Sequence, residues 1–229
     1  VSKRWRVMNT LQLFTQVFPY LVKGANYTLL ISLSGFGIGF VIGTVLTMCR
    51  LLGSRLVSAI ASAYIEFFRG TPLLVQLLFI YFGLPSIGIK LNPLSACIIA
   101  LGLNSGAYQA EILRSVLQAL PRDQLEASLV DGLSRYQAYM KVLVPQALRN
   151  AIPALMNEVV TLIKETSLAS IIGVPELTRR AEYMVAWTFR ALEIYAMTAL
   201  IYLLICYTLV KLSHIVEKRY VLPGYLRKV

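Results

Sequence analysis

The sequence predicts an all-α membrane protein with about five transmembrane helices in a single domain. Two observations carry this. The 229 residues are 57% hydrophobic with a mean hydropathy of +0.67, above the roughly half-apolar make-up of soluble domains. The excess lies in uncharged runs long enough to cross a bilayer. Second, the charge is displaced to the ends of those runs. The net charge is +11, and Lys and Arg flank the runs as cytoplasmic loops and anionic lipid favour. No basic stretch interleaved with aromatics points to nucleic acid.

Residues 1–23 mix Lys3, Arg4, Arg6 and Lys23 with Trp5, Leu11, Phe14, Val17 and Phe18. This predicts an interfacial amphipathic segment with snorkelling cations, broken by Pro19. No secretory pattern precedes the first apolar run, so that run is expected to remain as a span. Residues 24–49 carry no charge and form the first span. Gly35, Gly39 and Gly43 recur every four residues there, a stripe that lets helices approach closely. Arg50 and Arg55 close it.

Residues 56–84 form the second span. Glu66 and Arg69 are spaced to pair on one helix face. Pro72 removes a backbone donor and kinks the run, and Gln76 is a polar residue inside it. Residues 91–113 form the third span. Asn104, Tyr108 and Glu111 share one face of it, a face unsuited to lipid and expected to meet protein. Residues 114–141 read as an exposed loop holding a short helix, with Pro121 and Asp123 near its start and Gly132 at a helix-ending or close-contact position. The fourth span, 142–163, is bent by Pro145 and Pro153 and holds Arg149, Asn157 and Glu158, which places it centrally in a bundle. Residues 164–190 read as a short re-entrant or interfacial element. The last span is 191–213, with Tyr195, Tyr202 and Tyr207, and a basic tail starts within its end at Lys211 and continues with Lys218, Arg219, Arg227 and Lys228. An odd number of spans puts the termini on opposite sides.

Several chemistries have no basis here. There is no G-x-x-x-x-G-K-[ST] phosphate loop and no dinucleotide fingerprint, which argues against ATP hydrolysis in this chain. Cys49, Cys97 and Cys206 lie far apart in or beside apolar runs and suggest neither disulfides nor a metal site. His214 is the single histidine, so a His-based metal centre or a Ser-His triad lacks its parts. Asp123, Glu126 and Asp131 read as a solvated or docking face rather than an acid–base set. No catalytic constellation is present, and the chain is not expected to be an enzyme.

The most specific motif is Glu126-Ala127-Ser128-Leu129-Val130-Asp131-Gly132, followed nine residues later by Val142-Leu143-Val144-Pro145. It resembles the EAA signature of the membrane subunits of bacterial ABC importers, departing conservatively at Ser128, Val142 and Val144. Further stretches follow in the order of the polar amino-acid branch of type I importer permeases. They are Arg69 to Gln76, Tyr81 to Pro85, Ala107-Tyr108-x-Ala110-Glu111-x-x-Arg114, Pro145-Gln146-Ala147, Asn157-Glu158 and Lys164 to Leu168, where that branch more often has Asp at position 165.

The resemblance implies a type I ABC importer permease fold with a cytoplasmic coupling helix, over residues 119–134, in the bacterial inner membrane. It implies a second permease subunit, two ATP-binding subunits that hold ATP and Mg²⁺, and an extracytoplasmic amino-acid-binding protein. This chain would need no cofactor of its own. Glu126, Ala127, Ser128, Asp131, Gly132 and Pro145 are then the expected ATPase-coupling residues, and the coupling loop and C-terminus are expected in the cytoplasm. Against this stands the reading of Glu126 as an ordinary surface carboxylate.

Glu158, an ionisable group within a span, is a functional candidate by position. Its carboxylate can neutralise the cationic group of a substrate, or form an internal ion pair with Arg149 or a partner charge. Asn157, Thr161 and Gln76 are expected beside it in a substrate cavity, weakly favouring arginine, lysine and histidine. Glu66, Arg69 and Glu111 read as an internal charge network. The alternative function is an ion-gradient-driven secondary transporter or channel, against which stand the docking signature and the lack of paired broken spans. A membrane enzyme or a non-transporting scaffold has still less to recommend it.

Overall fold

The computed structural model describes residues 9–220, and every element among them is helical. Lys3, Arg4, Trp5, Arg6, Arg227 and Lys228 lie outside the described residues, as do the side chains of Leu11, Lys218 and Arg219.

Helix α1 runs Thr10–Leu52, with Pro19 inside it. The expected break at Pro19 does not occur. Leu13, Val17, Leu21 and Ala25, spaced one turn apart, are all buried against Leu177, Ala181, Ile194, Met197 and Ile201. That packing on both sides of Pro19 outweighs the one backbone bond the proline removes.

Helix α2 spans Arg55–Gly70, capped by the Ser54 hydroxyl, and ends at an extended Thr71. Pro72 therefore ends the helix outright, because the residue before a proline is driven to extended backbone. The chain resumes as α3, Leu73–Leu78, then a π turn at Phe79–Gly83 and a 3₁₀ turn at Leu84–Ile87. Helix α4, Pro93–Ala119, continues six residues past the expected end of the third span. Helix α5 is Arg122–Val130. Helix α6, Arg135–Ala138, opens with a capping box between Ser134 and Gln137 and passes through a π turn, Tyr139–Leu143, into α7, Val144–Glu165. The π turn ends two residues before Pro145, whose missing N–H would otherwise have continued the α-helical ladder. Much of the expected loop at 114–141 is thus helical.

A 3₁₀ turn, Thr166–Ile172, leads through a left-handed Gly173 to α8, Leu177–Thr188, and α9, Ala191–Tyr220. By length and apolarity α1 and α9 each suffice to cross a bilayer, and α2 with 73–87 makes a third if the bent pair is one span. Helices α4 and α7, with 27 and 22 residues, have the length but not the apolarity. Their polar side chains need protein neighbours rather than lipid.

The chain forms two compact units. The first comprises, among the described residues, 9–35, Leu73–Leu101 and Val160–Leu209; its core is the α1, α8 and α9 cluster above. The second comprises Phe36–Pro72, Gly102–Val159 and, among the described residues, 210–220. Within it Ile65, Ala107 and Ala110 pack with Leu46, Tyr64 and Phe68, while Leu113, Ala151 and Leu155 pack with Phe36, Phe40 and Leu148. Small residues set the approach of α1 to α4 there. A Cβ on Gly43 would lie 3.0 Å from the Ala110 backbone nitrogen, and one on Gly106 would lie 2.7 Å from Ile42. The predicted glycine stripe is a packing surface at Gly39 and Gly43.

Candidate functional site

Helix α5 carries the signature. Pro121 is its N-cap residue and Asp123 lies in its first turn, where a carboxylate meets the positive helix end. The helix closes in a Schellman arrangement. The Leu133 N–H donates to Ser128 O at 3.1 Å, and the Gly132 N–H donates to Leu129 O at 3.1 Å. Gly132 takes φ +84°, with open space where a Cβ would stand, so its backbone conformation is what calls for glycine. The helix is shorter than the expected 119–134, because Pro121 starts it and Gly132 stops it.

Anchoring comes from one side of α5. Ser128 is buried, with its hydroxyl donating to Gln124 O, and Gln124 in turn accepts from Gln146 Nε2 at 2.9 Å. Leu125 packs on the cluster of Leu117, Leu120, Leu143 and Ala147. Glu126, Ala127, Asp131 and Gly132 remain exposed, with Leu129 and Val130 beside them. Pro145 is also exposed, as the second residue of α7. A cavity of about 440 Å³ opens beside α5, lined in part by Leu51, Leu117, Arg122, Glu126 and Tyr139. An exposed apolar and acidic face on a firmly seated short helix is suited to docking a protein.

A second polar group, also within the second unit, surrounds Glu158. Its side chain is buried, 9% exposed, and Oε1 accepts from the Ser105 hydroxyl at 2.7 Å. Gln109, fully buried, donates through Nε2 to Ser105 Oγ at 3.0 Å and to Phe36 O at 3.1 Å. Among the described residues no ion pair joins Glu158 to Arg149, which is exposed. Asn157 is exposed in the same unit. Gln76 and Thr161 belong to the first unit, where Gln76 is buried and Thr161 exposed.

The face of Asn104, Tyr108 and Glu111 meets α2 and α1 within the second unit. Asn104 Nδ2 donates to Phe68 O at 3.1 Å, and the Arg69 guanidinium lies over the Tyr108 ring. Glu111 pairs with Arg50, with Arg114 at 2.6 Å and with Arg69 at 3.9 Å. Arg69 therefore turns to Glu111 rather than to Glu66.

Between the last two expected spans, Glu176 caps α8. Its carboxylate accepts from the N–H of Thr178 at 2.8 Å and of Arg179 at 2.7 Å, and from Tyr202 OH at 3.1 Å. Burial pushes its pKa up to about 7 against these donors. Gln109 and Glu176 had no role in the sequence reading. The signal for Gln109 was its place one turn from Ser105 in an apolar run; for Glu176 it was an acidic residue directly before an amphipathic stretch.

Comparison with known proteins adds family context. Residues 35–221 match the family described as binding-protein-dependent transport system inner membrane component. The chain is 40% identical over 219 residues to the probable amino-acid ABC transporter permease protein YckA of Bacillus subtilis, covering 96% of this chain and 97% of that one. It is 40% identical over 203 residues to the glutamine transport system permease protein GlnP of Escherichia coli K12, covering 88% and 93%. A crystal structure of an amino acid ABC transporter with histidines superposes with a TM-score of 0.87 at 36% identity, over 93% of this chain and 99% of that chain.

Proposed function

This chain belongs to the family of binding-protein-dependent transport inner membrane components, as the permease subunit of an amino-acid ABC importer, and from that premise we propose that it passes a polar amino acid across the membrane by alternating access. ATP and Mg²⁺ are held by two separate ATP-binding subunits, and hydrolysis there resets the cycle. A second permease subunit, identical or closely related, completes the pathway, and an extracytoplasmic binding protein delivers the amino acid. The membrane is the bacterial inner membrane, with α5 and the C-terminus on the cytoplasmic side.

The exposure of Glu126, Ala127, Asp131 and Gly132 on a helix anchored through Ser128 and Leu125 carries this reading. The ATPase takes that face, and Ser128 and Pro145 fix its geometry. Glu158 faces the cargo, with Asn157 in the same unit supplying a neutral hydrogen bond. A carboxylate there favours arginine, lysine and histidine over acidic amino acids. Among the relatives, GlnP is a glutamine transport permease, and one amino acid ABC transporter was crystallised with histidines.

The test is uptake of radiolabelled arginine, lysine, histidine, glutamine and glutamate in proteoliposomes holding the complete transporter. Glu126→Lys is expected to abolish ATP-dependent uptake of every amino acid. Glu158→Gln is expected to lower uptake of the cationic ones selectively. Unchanged uptake in Glu126→Lys would overturn the docking role, and an unchanged ratio in Glu158→Gln the cargo role.

A further inference from the structure

We propose that Ser105 and Gln109 are positioning residues for Glu158 and determine the charge preference of transport without touching the cargo. The proposal rests on the reading of Glu158 as the cargo-facing carboxylate.

The geometry fixes a one-way relay. Gln109 Nε2 lies 3.1 Å from Phe36 O, a carbonyl that only accepts, so the nitrogen end of the amide must face it. The same nitrogen donates to Ser105 Oγ at 3.0 Å. With that lone pair engaged, the Ser105 hydroxyl proton points to Glu158 Oε1 at 2.7 Å. Amide donates to hydroxyl, and hydroxyl donates to carboxylate. A donor aimed at a carboxylate oxygen stabilises negative charge on it, and a relay polarised in one direction strengthens each bond. It also fixes the rotamer of Glu158, leaving Oε2 outside the relay.

The remaining surroundings agree. Ser105 and Gln109 are both fully buried. A Cβ on Gly39 would stand 2.8 Å from Gln109 Nε2 and 3.0 Å from Ser105 Cβ, so the glycine stripe of α1 leaves the room the relay occupies. Gln109 Oε1 is buried with no hydrogen-bond partner. Such an acceptor is costly, and an apolar side chain of similar volume would avoid that cost. Gln109 is therefore present for its donor rather than for packing.

The experiment measures KM for radiolabelled arginine and glutamine in the reconstituted complete transporter, with melting temperatures recorded in parallel. Ser105→Ala should raise the arginine KM about tenfold relative to glutamine, the scale of one hydrogen bond to a charged group. Ser105→Thr, which keeps the hydroxyl, should restore the ratio, and Gln109→Met should shift it less than Ser105→Ala. In a Glu158→Gln background, Ser105→Ala should change nothing further. A Ser105→Ala effect of equal size in both backgrounds would overturn the relay and make Ser105 a packing residue. If Glu158→Gln alters the ratio while Ser105→Ala and Gln109→Met do not, the relay is wrong and the cargo role of Glu158 survives. If Glu158→Gln leaves the ratio unchanged, both fail. Should Ser105→Ala melt too low to assay, Gln109→Met decides.

Discussion

At the scale of residues, the second unit places its charges unevenly. Glu111 is one carboxylate among Arg50, Arg69 and Arg114, and it joins α1 to α4 through a contact between residues 61 apart. Removing it would leave three guanidiniums facing each other, whereas removing one arginine leaves the carboxylate still paired. Glu111→Ala is therefore expected to destabilise the purified protein by about 1–3 kcal/mol, more than Arg50→Ala does. The double variant should fall short of the sum, since both act on one pair. Thermal unfolding checks this; additive losses would mean the pair is not coupled. The face carrying Glu111 was legible from the spacing of Asn104 and Tyr108. Its partner Arg50 was legible only as the cation that ends a span, because no local pattern links positions so far apart. Ser105 follows Asn104 directly in the sequence, but its bond to Glu158 depends on how α4 meets α7 within the unit.

At the scale of elements, what the sequence made plain was local backbone chemistry. Gly132 ending α5 and Asp123 opening it each follow from the residue itself, whereas Pro72, read as a kink within one run, ends α2 outright. What it hid was tertiary override. Pro19 looked like a break, yet the buried stripe from Leu13 to Ala25 keeps α1 whole. Helix α8 needed its cap to be recognised, and Glu176 supplies one. Because burial raises the Glu176 pKa from 4.5 to about 7, the folded protein holds that proton more tightly than the unfolded chain. Stability is thus greatest below the unfolded value and declines as pH rises from about 4.5 to about 7, where the carboxylate ionises in its buried seat. Melting temperature measured across this range should fall with rising pH in the native protein. Glu176→Gln should flatten that slope while losing part of the cap, about 1 kcal/mol. A slope unchanged in Glu176→Gln would assign the pH dependence elsewhere.

At the scale of the molecule, the class of protein was readable because the bilayer imposes a simple rule, that long apolar helices must cross it. The two polar helices α4 and α7 obeyed a second rule, that intramembrane polar groups need protein around them, and Glu158 with Ser105 is an instance. Neither rule says what drives transport. On the proposed reading that distinction lies in α5, where Glu126, Ala127, Asp131 and Gly132 are exposed on a helix pinned by Ser128, Leu125 and the Gln124–Gln146 contact. A secondary transporter would harvest an ion gradient through this chain and would have no use for such a face. The chain reconstituted alone, with a sodium, potassium or proton gradient, is therefore expected to give no amino-acid uptake above that of empty vesicles. Adding the ATP-binding subunits, the binding protein and ATP should restore it, and Glu126→Lys should remove it again while leaving the melting temperature unchanged, because that side chain touches solvent rather than core. Gradient-driven uptake by the chain alone would mean that the energy enters through the permease itself, and α5 would have to be explained as something other than the point where ATP hydrolysis is felt.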